Sequence, residues 1–333
     1  MRTRRQFIAG AVSAAAVSRA AAQQSAKRPR LAIYSPFEPI ALMHEDGDNR
    51  YYRALFEELR RLGHVEGQNL TVERFAKEQN TAGPAALAAE VVRSNPDVVY
   101  VVGPGSLLFK AQTTTIPIVA LTSDPIALGL VQSLARPGGN ITGVSVDTGP
   151  SIHGKRVGLL REMFPAISTL AYLTLRVSWE TFLGPTMRAA CEAAGVGLVA
   201  ALLELPTSEA DYQKAIATAV QAGANAIMVA DNPDAMTNRA LITDLIGQAR
   251  LPAMYGVREF VDVGGLIAYA YDLVALNQRV AHDIDAILHG ANPGEIPFFQ
   301  STKFELFINL KTAKALGLTV PPSLFALATE VIE

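Results

Sequence analysis

From Leu31 onward, short runs of β-branched and apolar residues alternate with segments whose apolar positions recur at helical spacing, and this alternation limits the fold more than any other feature. Leu31–Tyr34, Leu70–Phe75, Val98–Val102 and Ile118–Leu121 read as short buried strands. Tyr51–Leu62, Pro84–Ser94 and Ser106–Gln112 read as the helices between them, with Gly63 and Gly67 marking the turn after the first. Strand, helix, strand in strict succession demands a parallel sheet covered on both faces.

The stretch Ser123–Val146 interrupts this pattern and restarts it. A polar turn, Ser123-Asp124-Pro125, is followed by a helix-like segment, Ile126–Leu134, which Arg136-Pro137-Gly138-Gly139-Asn140 stops. The β-branched run Ile141–Val144 then leads into a second series. It contains helix Ile152–Phe164, strand Thr169–Leu175, helix Phe182–Ala194, strand Leu198–Leu203, helix Glu209–Ala222, strand Ala226–Ala230, helix Ala235–Ala249 and strand Ala253–Gly256. The expected fold class is α/β, two Rossmann-like lobes with parallel sheets flanked by helices. A chain of this length, half of it apolar, has the material for two such cores.

Residues 1–22 read as an export signal rather than as part of the fold. Thr3-Arg4-Arg5-Gln6-Phe7-Ile8 is a twin-arginine pattern, followed by a small apolar run and by Ala20-Ala21-Ala22 before Gln23. The apolar run is well short of the ~20 residues that span a bilayer. The expected location of the mature chain is therefore the periplasm, with cleavage after about Ala22. Removing Arg2, Arg4, Arg5 and Arg19 leaves 25 basic against 31 acidic residues, a net charge of −6. That balance argues against a nucleic-acid partner, which needs a basic face. Cys191 is the one cysteine, so no internal disulfide forms, and its place within a helical segment suits a buried structural thiol.

Several long blocks resemble one family. They are SLARPGGNITGVS (Ser133–Ser145), LRRLGHVEGQNLTVE (Leu59–Glu73), TTIPIVALTSDPIALGLV (Thr114–Val131), LPAMYGVREFVDVGGLIAYA (Leu251–Ala270) and the ending TKFELFINLKTAKALGLTVPPSLFALATEVIE (Thr302–Glu333). Together they look like the bacterial substrate-binding proteins of ABC transporters, in the group with tryptophan- and tyrosine-binding members. The resemblance implies a periplasmic binding protein, type I-like, with discontinuous lobes joined by three hinge crossings. Residues 28–141 plus 268–300 would form the N-terminal lobe, and 145–263 plus 304–333 the C-terminal lobe. The second crossing would run through Gly264–Ala270 and the third around Phe298–Phe307. The implied partners are a small-molecule ligand and an ABC permease in the inner membrane, and carrier function favours a monomer.

Ligands of open parallel sheets bind beyond the carboxyl ends of the strands. In the first unit that rule selects Ser35, the loop Gly103-Pro104-Gly105-Ser106, and Ser123 with Asp124. In the second it selects Leu175–Trp179, Asp231-Asn232-Pro233 and Tyr255–Glu259. Gly105 permits close backbone approach and Ser106 can cap the next helix, so this loop suits a carboxylate; the resemblance also puts carboxylate recognition there. An ordinary strand-to-helix turn would use the same residues. Asp124 and Asp231 could each pair with a ligand ammonium, while Asp231-Asn232-Pro233 reads equally as a helix start. Trp179, Tyr255 and Tyr269 could offer a stacking surface, ahead of Phe182. Arg258 and Glu259 suit either a polar cleft or an internal ion pair. His44-Glu45-Asp46-Gly47-Asp48 does not have the spacing of a calcium loop and reads as a solvated charge cluster.

No catalytic constellation stands out. The sequence has no nucleophile elbow, no HExxH, no P-loop and no paired cysteines, and its five histidines have no acid or nucleophile arranged around them in sequence. No cofactor, no metal and no enzymatic activity is expected. The leading expectation is a periplasmic solute-binding protein for an amino acid or related aromatic carboxylate, delivered to an ABC importer. An extracytoplasmic sensor, or an enzyme on the same fold, is the alternative, since fold alone does not fix function.

Overall fold

The computed structural model describes residues 28–36, 38–146 and 151–333. The export-signal reading of residues 1–22 and its cleavage point lie outside them. The first half builds β1 (Arg30–Tyr34), α1 (Arg50–Arg61), β2 (Thr71–Phe75), α2 (Pro84–Ser94), β3 (Val98–Val102), α3 (Ser106–Gln112), β4 (Ile118–Thr122) and β5 (Ile141–Ser145). Caps explain several boundaries. Asn49 accepts from the Tyr51 amide to start α1, and Pro84 stands in the first turn of α2. Asn95 adopts a left-handed conformation to end that second helix.

The second half begins with α4 (Ser151–Met163) and β6 (Thr169–Leu175). Then come α5 (Arg176–Ser178), a π-helical stretch over Trp179–Leu183, α6 (Gly184–Ala194), β7 (Gly197–Leu203), α7 (Glu209–Gln221) and β8 (Ala226–Val229). It continues with α8 (Pro233–Thr237), α9 (Arg239–Gln248), β9 (Ala253–Tyr255), α10 (Glu259–Asp262), β10 (Ile267–Tyr271) and α11 (Leu273–Leu288). The last elements are β11 (Phe299–Gln300), β12 (Phe304–Asn309), α12 (Leu310–Ala315), α13 (Pro322–Leu327) and β13 (Glu330–Ile332).

The strands form two sheets, ordered β11-β5-β4-β3-β1-β2 and β13-β12-β10-β9-β8-β6-β7. All described pairings are parallel except β10 with β12. The chain changes sheet between β5 and β6, between β10 and α11, which packs on β3, β4 and β5, and between β11 and β12. The last two passages are tied together. Lys303 pairs with Asp272 at 2.8 Å, and that same aspartate caps α11 through the Ala275 amide.

Two expectations are corrected here. Ile267–Tyr271 does not carry the second crossing; it is an inner strand of the second sheet, parallel to β9 and antiparallel to β12, and the chain crosses after it, at Asp272. Ile126–Leu134 does not form a helix. The Asp124 carboxylate accepts from the Ile126 and Ala127 amides, and Gly129 turns into positive φ, so only one tight turn forms before Leu130 and Val131 are buried.

Close packing also explains Gly143 in β5. Its φ is +145°, and a Cβ there would lie 2.0 Å from the Ala120 carbonyl oxygen of the neighbouring β4. Cys191 is buried in the second lobe, where burial pushes its thiol up to about 11, in keeping with a structural role.

Candidate functional site

The carboxyl ends of the two sheets confront each other. The loop after β3 meets the start of α8, so closely that a Cβ on Gly103 would lie 3.2 Å from Pro233 Cγ. At another contact between the lobes, the Tyr51 hydroxyl of α1 donates to the Glu259 carboxylate of α10, with Arg50 at 4.0 Å from that same carboxylate. These contacts bring loops at the strand ends of the two sheets together, and in open α/β folds that is where ligands bind.

In the second lobe these loops are organised by Arg156, on α4. The residue is 3% exposed and is held by acceptors from β10 and from the loops after β8 and β9. Nη1 lies 2.9 Å from Asp231 Oδ2 after β8, Nε donates to the Tyr269 carbonyl in β10 at 2.9 Å, and Nη2 donates to the Gly256 carbonyl after β9 at 3.3 Å. Burial by itself would lower the guanidinium's pKa, but attraction to Asp231, Tyr271 and Tyr172 outweighs it and raises the value. Gly256 is required by the same arrangement, because a Cβ there would fall 1.6 Å from Asp231 Oδ1.

His153 lies one helical turn before Arg156. Its ring meets Tyr172 edge-on, with centroids 6.4 Å apart, and its Nδ1 is buried with no hydrogen-bond partner among the described residues. Burial, reinforced by the Arg156 charge, depresses its pKa to about 3, so this imidazole is neutral at physiological pH. Thr122 at the end of β4 and Thr174 near the end of β6 also hold buried hydroxyls without partners among the described residues. Buried polar groups in native folds are rarely left this way.

The residues selected from sequence divide by what occupies them. Ser35 is buried, and its hydroxyl donates to Glu38, which also accepts from Tyr52. Gly105 packs against Tyr34, where a Cβ would come within 2.5 Å of the ring. Ser106 does not cap α3 as expected: its buried hydroxyl reaches back to the Gly103 carbonyl at 3.4 Å. The Ser123 carbonyl accepts from Ser145, and Asp124 serves its own turn. Asn232 caps α8 through the Ala235 amide, which confirms the helix start, while Asp231 beside it is left for Arg156.

Among the aromatic candidates, Tyr255 is 1% exposed and stacked on Phe260 at 4.6 Å, so its ring belongs to the core. Trp179 stands in the π-helical stretch, not in the expected loop, half-buried between Tyr172 and the Arg188 guanidinium. Such π-helical stretches recur at functional sites. Tyr269 is also half-buried and stacks on Phe304 at 5.3 Å. Arg258 makes an internal pair with Glu330 at 2.6 Å, whereas its neighbour Glu259 reaches the other lobe. Sequence reasoning missed Arg156 and His153. Their signal was present: both sit among Ile152, Leu159 and Leu160 on the apolar face of α4, where a charge needs a buried partner.

Comparison with known proteins agrees with this architecture. A solved structure from Vibrio cholerae, a conserved domain protein, superposes with a TM-score of 0.82 at 25% identity, over 92% of this chain and 100% of that one. A Streptococcus pneumonia ABC domain in complex with L-Trp superposes with a TM-score of 0.80 at 22% identity, over the same shares. The tyrosine-binding protein of Clostridioides difficile is 20% identical over 268 residues, 77% of this chain and 73% of that protein. The fold is thus that of the type I periplasmic binding proteins. The family model described as ABC transporter substrate binding protein matches residues 40–332, almost the whole chain, and the protein belongs to that family, whose members bind substrates and are not enzymes.

Proposed function

We propose that this chain is a periplasmic solute-binding protein that captures an amino acid or related aromatic carboxylate between its lobes and delivers it, as a monomer, to an ABC permease. The observation that carries the reading is the buried Arg156–Asp231 pair, held at the strand ends that face the other lobe. Such a pair presents a carboxylate whose position is fixed in advance, so little ordering is needed when an ammonium arrives. In this reading Asp231 receives the ligand ammonium. The backbone of Gly103–Ser106 receives the carboxylate, with the Thr122 and Thr174 hydroxyls available to the remaining polar atoms. The half-buried rings of Trp179 and Tyr269 border an aromatic side chain. Aromatic-ligand relatives, the tryptophan complex and the tyrosine-binding protein, support the ligand class. A ligand touching both lobes stabilises the closed form by the difference in its contacts between open and closed states.

The test is calorimetric titration of L-tryptophan and L-tyrosine into the wild-type chain and Asp231→Ala. Because alanine leaves the buried Arg156 without its partner, Asp231→Asn, which keeps an acceptor for it, is titrated beside it, and both are expected to weaken binding by about 1.5–3 kcal/mol, the range for a hydrogen bond to a charged group. An unchanged dissociation constant in both variants would remove Asp231 from the site.

A further inference from the structure

Away from the cleft, the fold assembles donors that are scattered in sequence. His64 sits in the turn that ends α1, its amide bonded to the Leu59 carbonyl. Asp285 and His289 stand one turn apart at the end of α11, the helix that packs along α1. His64 Nε2 lies 2.7 Å from Asp285 Oδ1, and His289 Nδ1 lies 3.1 Å from that same oxygen. One donor atom from each of the three residues falls within 4.8 Å of the others, and the imidazole rings are 5.7 Å apart. His289 is 69% exposed, so one side of the cluster is open to solvent.

We propose that His64, Asp285 and His289 form a binding site for a divalent transition metal of the zinc class. Two imidazoles and one carboxylate suit zinc better than magnesium or calcium, which prefer all-oxygen shells. Zinc bonds of about 2.0–2.2 Å place tetrahedral ligand atoms roughly 3.3 Å apart, so Asp285 Oδ1 moves a few tenths of an ångström away from each imidazole nitrogen while the two imidazole nitrogens, within 4.8 Å of one another, close on the ion. His289 supplies the larger movement, its exposed ring leaving the Asp285 backbone carbonyl that lies 2.9 Å from Nδ1 and giving up the Nδ1 proton as the metal binds, and water from the open side completes four-coordination. The ion would join the end of α1 to the end of α11 within the first lobe. The neighbouring imidazole, His282, is engaged elsewhere, with Glu58 at 2.7 Å, which makes it a suitable control.

The proposal is tested by titrating zinc chloride, with magnesium chloride as reference, into the purified chain carrying no polyhistidine tag. Thermal unfolding is followed with each salt. One zinc ion per chain is expected to bind, the midpoint to rise with zinc but not magnesium, and cobalt substitution to give the visible absorption of a tetrahedral site. His289→Ala, on an exposed side chain, is expected to lower zinc affinity by about tenfold or more and to abolish the zinc-dependent rise, while His282→Ala changes neither. Absence of zinc binding to the wild-type chain would overturn the site. So would zinc binding that survives both His289→Ala and His64→Gln. Neither outcome bears on the cleft.

Discussion

Arg156→Ala is expected to destabilise the second lobe by about 3–5 kcal/mol, the usual cost of removing one partner from a buried ion pair. The guanidinium makes three contacts, to β10 and to the loops after β8 and β9, so its loss leaves the Asp231 carboxylate and the Tyr269 and Gly256 carbonyls without it at once. His153 beside it is held neutral and does not replace the charge. Lysine should restore only part of the loss, because a single ammonium cannot reproduce the planar fork that meets all three acceptors. Urea unfolding of wild type, Arg156→Ala and Arg156→Lys measures this directly. A loss below about 1 kcal/mol for the alanine variant would mean that the pair behaves as a surface ion pair does, and that the lobe is not built around it.

Gly143→Ala should act on the first lobe with similar force. The new methyl would press into the Ala120 backbone, with the carbonyl oxygen at 2.0 Å and the amide nitrogen at 2.5 Å, in the middle of the β4–β5 pairing. Backbone cannot rotate aside as a long side chain can, and φ of +145° is already unfavourable for alanine. Overpacking and backbone strain cost about 1–3 kcal/mol each, so a loss of about 3 kcal/mol or more is expected. The unfolding midpoint should fall by roughly 5 °C, and a fall of less than about 1 °C would show that β4 and β5 separate easily at this point. Gly138 is the contrasting position. It has positive φ but no atom of the described residues within 4 Å of its missing Cβ, so alanine there should cost only the conformational strain.

The architecture was legible because a parallel strand covered on both faces leaves a run such as Val98–Val102, which no helix of that length would use. Where the reading failed, long-range pairing overrode local pattern. Ile267–Tyr271 looked like a crossing because nothing local announces that β12 will return antiparallel beside it. Ile126–Leu134 has helical spacing, but Gly129 and the Asp124 turn end it after one turn. Loops at strand ends were found from the sheet rule, yet several of their polar atoms serve the fold: Asp124 and Asn232 hold turns, and Ser35 holds Glu38. The residue that organises the second lobe's strand ends, Arg156, sits inside a helix, where sequence alone suggests a solvated face unless its apolar neighbours are weighed. His64 and Asp285 are separated by 221 residues, so only the packing of α11 on α1 brings them together.

The most direct test of the central claim is thermal unfolding of the chain against a panel of amino acids, aromatic acids and small carboxylates. A ligand at ~100 times its dissociation constant adds about 2.7 kcal/mol, enough to raise the midpoint by several degrees. The account predicts such a rise with aromatic amino acids, and recovery of the ligand unchanged. A flat response to every amino acid, or a rise confined to compounds without an ammonium and a carboxylate, would contradict it.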